Sequence, residues 1–254
     1  MGKFDGVLLC SDYDGTLFYD GFVESNIEAL NAFMAEGGRF TLCTGRRAMQ
    51  APMDVIPNAP VVGMCGAEVC DLATGERLAL WPMGEEWRGI ARDLRQRDDL
   101  ARIRFDSEDS PHVFEIDDPA MTDFIDTYNG VMCRITFLYK ELRTDPLLVP
   151  PEVRTICEGR CAVMSNGNDE FELVAYGMDK GHGVRYLKER LGAKLLVCVG
   201  DYDGDISMLR AADIGYAVDN ASPYVKAEAD RVTVHATEGV IRHIMADLEK
   251  DLQA

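Results

Sequence analysis

Val7-Leu8-Leu9-Cys10-Ser11-Asp12-Tyr13-Asp14-Gly15-Thr16-Leu17 is the stretch that decides the fold. Val7–Cys10 is an unbroken apolar run, the mark of a strand buried on both faces, since a half-exposed strand would alternate. The run stops at Ser11-Asp12, and the chain turns at Gly15, just after the two carboxylates Asp12 and Asp14. The pattern recurs where Phe40–Cys43 runs into Thr44-Gly45-Arg46, and where Leu195–Val199 runs into Gly200-Asp201-Tyr202-Asp203-Gly204-Asp205. A further polar pair, Lys180-Gly181, opens a helix whose apolar face is Val184, Leu187 and Leu191, with Gly192 as its stop.

Helical segments alternate with these strands. Ser25-Asn26-Ile27-Glu28 reads as a capping box, followed by Ile27, Leu30, Phe33 and Met34 on one face and a stop at Gly37-Gly38. A shorter helical stretch after Arg46 is cut by Pro52. Val61–Met64 is a strand that turns at Cys65-Gly66-Ala67 into a hairpin through Asp71 to Glu76. Towards the C-terminus the spacing predicts a helix from Ile206 to Ala212, a strand over Ile214–Val218, and a short helix from Ser222-Pro223. A strand over Arg231–Val234 and an amphipathic helix over Glu238–Leu252 follow. Such alternation predicts an α/β fold: a Rossmann-like parallel sheet with helices on both faces.

The middle of the chain differs. Helix faces at Trp87, Ile90, Ala91, Leu94 and at Met121, Phe124, Ile125, Tyr128 alternate with strand-like runs. Those runs are Ile103–Phe105, His112–Ile116, Val131–Tyr139, Cys161–Met164 and Phe171–Val174, with Pro146, Pro150 and Pro151 marking a loop. This is an inserted α+β domain, placed at 82–174, with the Rossmann-like core at 1–81 and 175–254.

Composition narrows the function. The 254 residues carry a formal charge of −18, which opposes the counterion displacement a duplex-binding surface requires. No basic cluster addresses an anionic membrane, no apolar stretch reaches the ~18 residues of a span, and no signal-peptide core of ~7–15 apolar residues is visible. A cytoplasmic protein is expected, a monomer or small homo-oligomer, with neither nucleic acid nor membrane as partner. Of the eight cysteines, Cys10, Cys43 and Cys198 lie in apolar runs. Cys65/Cys70 and Cys157/Cys161 form two close pairs whose spacing fits zinc poorly, so reduced buried thiols are expected. The histidines show no metal-ligand spacing, and Asp201-x-Asp203-x-Asp205 lacks the glycine and the closing glutamate of a calcium loop.

Open α/β sheets collect ligands at the carboxyl ends of their strands. Asp12, Asp14, Asp201 and Asp205 gathered there would repel one another unless a cation intervened, and an all-oxygen donor set suits Mg²⁺ with a phosphate substrate. Lys180, the Thr44 hydroxyl and the Gly45 backbone N–H supply donors for phosphoryl oxygens. A metal-bound carboxylate can attack phosphorus to give an aspartyl-phosphate, and a second carboxylate can protonate the leaving alkoxide and then activate water. Asp14, two residues after Asp12, suits the second task. Arg46 and Arg47 could reach substrate and equally suit a structural ion pair.

Taken in order, Asp12-Tyr-Asp14-Gly-Thr-Leu, Thr44-Gly-Arg, Lys180-Gly and Gly200-Asp201-x-x-x-Asp205 resemble the four motifs of the haloacid dehalogenase superfamily. The insert is similar to the C2-type cap of its Cof-like phosphatase branch, and Ile214-Gly-Tyr-Ala-Val-Asp-Asn220-Ala221 to that branch's tail pattern. The resemblance implies Asp12 as nucleophile, Asp14 as general acid/base, and Thr44 and Lys180 as phosphate-binding residues. It implies Mg²⁺ held by the Asp12 carboxylate, the Asp14 backbone carbonyl and Asp201, with Asp205 direct or through water. Arg46 and Asn220 are further candidates. Gly204 and Cys65 stand where the branch carries Asn. The expected activity is hydrolysis of small phosphomonoesters, sugar phosphates or related metabolites. The alternatives are a phosphomutase or a non-hydrolytic phospho-accepting regulatory module, against which Asp14 speaks.

Overall fold

The computed structural model describes residues 2–21, 24–52, 54, 56–144, 149–165, 167 and 169–253. In chain order the core elements begin with β1 (Val7–Ser11), α1 (Glu24–Ala35), β2 (Arg39–Leu42), β3 (Val61–Gly63), β4 (Glu68–Asp71) and β5 (Glu76–Leu80). Next come α2 (Trp87–Leu94), β6 (Leu100–Ser107), β7 (Pro111–Glu115), α3 (Ala120–Thr127), β8 (Met132–Tyr139), α4 (Pro151–Cys157), β9 (Cys161–Ser165) and β10 (Glu170–Ala175). The chain closes with α5 (Lys180–Leu191), β11 (Leu195–Gly200), α6 (Ile206–Ala211), β12 (Ile214–Ala217), α7 (Pro223–Glu228), β13 (Arg231–Val232) and α8 (Val240–Asp251). Two compact units result, Met1–Ala79 with Lys180–Ala254, and Leu80–Asp179.

The first unit is the expected α/β fold. Its parallel sheet has the order β13-β12-β11-β1-β2. Every residue of β1 is buried, as a central strand covered on both faces requires. The chain winds outward from β1 to β2 on one side and from β11 through β12 to β13 on the other. The winding direction therefore reverses between β1 and β11, the place where such sheets leave a crevice beyond their strand ends. The β1–β11 register sets Cys10 beside Cys198 and Ser11 beside Val199, so the acids that follow each strand emerge side by side. The antiparallel pair β3–β4 and strand β5 form a small separate sheet.

Local departures from the sequence reading have physical causes. Helix α1 begins at Glu24, so Ser25 lies inside its first turn, and Asn26 turns inward to accept from the Ile241 N–H at 3.1 Å. The stop at Gly37 holds, with φ +88° where a side chain would be strained. The helical stretch after Arg46 is one 3₁₀ turn, Ala48–Gln50. Pro150-Pro151, read as loop, instead opens α4, because proline at the first helical position forfeits no intrahelical bond. Pro146 lies outside the described residues.

The second unit is an antiparallel sheet, order β7-β6-β8-β10-β9. One face packs Ile103, Phe105, Ile135, Phe137, Phe171 and Leu173 against residues of α2, α3 and α4 in a single apolar cluster. Period-two alternation along β6, β8 and β10 puts Asp106, Arg134, Thr136 and Glu172 together on the opposite face, where all four are buried. Arg134 bonds Asp106 Oδ2 at 2.9 and 3.0 Å and Glu172 Oε1 at 2.7 Å, while Arg104 holds the other Asp106 oxygen at 2.9 Å. Removing one member of such a network leaves buried charge uncompensated. Arg134→Met is expected to cost about 3–5 kcal/mol in the urea unfolding of this unit, followed by tryptophan fluorescence of the buried Trp87.

Candidate active site

Lys180 organises the site. It begins α5, and its ammonium donates to Asp12 Oδ1 at 2.6 Å and to Asp205 Oδ1 at 2.5 Å. All three side chains are buried. Asp12 is the first residue beyond β1 and is tied across the sheet, its N–H donating to the Val199 carbonyl at 3.0 Å. The other Asp205 oxygen accepts from the N–H groups of Asp201 and Tyr202 at 3.0 and 3.1 Å, which shapes the turn beyond β11. Asp201 completes an acidic cluster: one oxygen each from Asp12, Asp201 and Asp205 lie within 4.8 Å of one another.

The loop after β1 folds back tightly. The Tyr13 carbonyl accepts from the N–H groups of Leu17 and Phe18, both at 2.9 Å, and the Gly15 N–H donates to the Phe18 carbonyl at 2.7 Å. Gly15 is required twice over. Its φ is +86°, and a Cβ there would lie 2.2 Å from Asp201 Oδ2. Thr16, a residue without a role in the sequence reading, donates from its hydroxyl to Asp201 Oδ1 at 2.9 Å. Its signal was present, since a hydroxyl inside an acidic turn is an obvious carboxylate donor. Asn220 bridges this loop to the C-terminal segment, donating to the Gly15 carbonyl and accepting from the Ala236 N–H, each at 2.8 Å.

Asp14 stands apart from the acidic cluster. Its carboxylate is 54% exposed and takes a two-pronged bond from Arg46, at 2.8 and 3.1 Å. Arg46 thus makes an ion pair in this structure, while its backbone N–H donates to the Thr44 hydroxyl at 3.1 Å. Thr44 is buried beyond β2, and Gly45 lies between it and Arg46. Cys65 adopts φ +53°, a left-handed conformation that asparagine and glycine accept far more readily than other residues. Cys65 holds that conformation with strain.

Electrostatics test the fit to a cation. Burial pushes the Asp12 carboxyl well above the usual carboxylate range, with Asp205 and Asp201 adding repulsion against the attraction of Lys180. Asp201 is pushed up to about 7, by burial first and by Asp205 next. Burial opposes the Lys180 charge, but Asp12 and Asp205 outweigh it and raise its pKa. One ammonium facing three close carboxylates leaves an excess of negative charge with oxygen donors only, which suits a hard divalent cation. Among the described residues, no cysteine or histidine belongs to a group of three or more side chains that could hold a metal ion. Among the described residues, no helix is long and apolar enough to cross a membrane.

Comparison with known proteins supplies the class. A family model described as haloacid dehalogenase-like hydrolase matches residues 9–83 and 95–245. The chain belongs to that family of hydrolases. The chain is 25% identical to YxeH of Bacillus subtilis, over 95% of this chain and 97% of that one. A 69-residue stretch, 27% of this chain and 29% of the relative, is 44% identical to phosphoglycolate phosphatase 2 of Saccharolobus solfataricus. Five curated relatives matched above 30% identity are spanned over only 17% to 42% of their own lengths. Among solved structures, that of the HAD subclass IIB sugar phosphatase BT4131 superposes with a TM-score of 0.77 at 23% identity. It covers 94% of this chain and 98% of that one. The structural likeness confirms the fold, an α/β core with an inserted α+β unit.

The raised Asp201 pKa has a measurable consequence. Between the ordinary value of 3.8 and about 7, the folded protein holds a proton that the unfolded chain has released. Without divalent metal, stability must therefore fall as pH rises through that window. In EDTA the melting temperature is expected to drop from about pH 5 to about pH 7. Asp201→Asn should flatten the drop, and millimolar Mg²⁺ should raise the melting temperature of the wild type near neutral pH but not that of the variant.

Proposed function

We propose that this hydrolase is a Mg²⁺-dependent phosphatase of small phosphomonoesters, working through an aspartyl-phosphate on Asp12. The observation that carries the proposal is the Asp12–Lys180–Asp205 contact beside Asp201, at the strand ends where the winding reverses. Asp12, the Asp14 backbone carbonyl and Asp201 would hold the ion, with Asp205 bearing on it directly or through water. Bound there, Mg²⁺ supplies positive charge that keeps the carboxylates ionised and offsets charge on the phosphoryl oxygens.

The protein's own groups account for the remaining steps. Lys180 keeps Asp12 oriented and presents the cation that a dianionic phosphate needs in a chain this acidic. The Thr44 hydroxyl and the Gly45 N–H donate to phosphoryl oxygens. An Asp12 oxygen forms the bond to phosphorus as the alkoxide leaves. Asp14, protonated from solvent once Arg46 lets go, gives that alkoxide its proton; as a carboxylate it then takes a proton from the water that attacks the phospho-aspartate, and inorganic phosphate leaves Asp12. Asp14 is suited to proton transfer because it lies outside the buried cluster and reaches solvent. Arg46, which grips Asp14 in the resting site, keeps it aimed until substrate arrives. Residues 82–174 are proposed as a C2-type cap that selects the leaving group.

Substrates are taken to be small phosphorylated metabolites. Phosphoglycolate and sugar phosphates head the panel, because relatives carry those names. The test is release of inorganic phosphate from that panel with Mg²⁺ or with EDTA. Asp12→Asn and EDTA should each abolish release, and Asp14→Asn should lower kcat by about 10²–10⁴-fold. Full turnover by Asp12→Asn would overturn the proposal, and an isomerised ester without free phosphate would replace it with a mutase.

A further inference from the structure

None of the eight cysteines is joined in a disulfide, and the proposed chemistry uses none of them. Cys10, Cys43 and Cys198 are wholly buried around the core sheet. Cys157 and Cys161 are placed differently. Cys157 ends α4 and Cys161 begins β9, the edge strand of the second unit's sheet. The turn between them is closed by the Arg160 N–H donating to the Cys157 carbonyl at 2.9 Å. Only Glu158, Gly159 and Arg160 separate the two cysteines, and that turn returns Cys161 beside the end of α4. Both residues line a surface cavity of about 470 Å³, with Arg154, Glu158 and Tyr176 among its walls. An oxidant in solution therefore has a route to the pair although little of either residue is exposed.

The environment assigns different roles to the two sulfurs. The neighbouring Cys161 thiol holds the Cys157 thiol below the ordinary cysteine range against burial, with the Arg160 charge adding to the effect. The Arg160 guanidinium is fixed beside the turn by its bond to the Ile156 carbonyl at 3.1 Å. The neighbouring Cys157, with burial, pushes Cys161 well up. A thiolate is the attacking species in disulfide exchange, so Cys157 is the entry point and Cys161 the resolving thiol.

We propose that Cys157 and Cys161 are a redox-active dithiol, which a low-molecular-weight disulfide converts into an intramolecular disulfide. The Cys157 thiolate attacks one sulfur of the oxidant, whose S–S bond breaks to release one thiolate. Cys161, its proton passed to solvent, attacks the Cys157 sulfur of the mixed disulfide and expels the second thiolate. The protein loses two electrons and two protons, and the oxidant is reduced to two thiols. The new bond ties the end of α4 to the edge strand β9.

The experiment equilibrates the folded full-length chain in mixtures of oxidised and reduced glutathione, then quenches with acid and alkylates. Alkylatable thiols should fall from eight to six in the oxidising mixtures and return to eight with dithiothreitol. Trypsin cuts after Arg154 and Arg160, so the bond should appear as the peptide starting at Thr155 linked to the peptide starting at Cys161. Cys161→Ser should keep a glutathione on Cys157, whereas Cys157→Ser should leave Cys161 unmodified; melting curves confirm that both variants fold. Eight alkylatable thiols in every mixture would overturn the proposal, as would first linkage through Cys10, Cys43 or Cys198. Equal glutathione adducts on the two single variants would overturn the assignment of roles.

Discussion

The contact of Lys180 with Asp12 and Asp205 is the constraint on which the site depends. It joins the end of β1, the start of α5 and the turn after β11. A buried ammonium is tolerated only when paired, and Asp12 and Asp205 keep the Lys180 charge in place. Asp201 is raised by burial first and by Asp205 next. The sheet supplies the rigidity. Continuous burial of β1 and its register with β11 fix where Asp12 and Asp201 emerge, and close positioning of this kind governs phosphoryl transfer.

Two carboxylates two residues apart end in opposite environments. Asp12 is buried against Lys180, while Asp14 reaches solvent and meets Arg46. The turn at Gly15 brings this about, since its left-handed backbone lets the chain pass within reach of Asp201. Separating two acids by environment is how one site can run a nucleophile and an acid/base together. Thr16 and Asn220 maintain that separation by fixing the loop to Asp201 and to the Ala236 turn.

Much of this was legible in the sequence. Val7–Cys10 and Leu195–Val199 are apolar without alternation, Phe40–Cys43 is interrupted only by Thr41, and the strands of the parallel sheet lie on these runs. Their polar ends located Asp12, Thr44 and Asp201, and Lys180 followed from its place at the start of a helix. Less local features were hidden. The burial of Arg134 with Asp106 and Glu172 depends on which strands pair, so each reads alone as a solvated charge. Arg46 was ambiguous because its partner lies 32 residues away. Pro150-Pro151 misled because proline serves both loops and helix starts, and only the packing of Val153 and Cys157 decides between them. The Cys157–Cys161 neighbourhood was legible as spacing but not as a contact, which needs the turn at Arg160.

Turnover through Asp12 requires a phosphoryl group on its carboxylate. The direct measurement is borohydride trapping: the protein is mixed with Mg²⁺ and acetyl phosphate, quenched rapidly, reduced and mapped by mass spectrometry. Reduction of residue 12 from aspartate to homoserine is expected, and loss of that mark when Mg²⁺ is replaced by EDTA. Phosphate release without any mark on Asp12, or with the mark on Asp14 or Asp201, would contradict it.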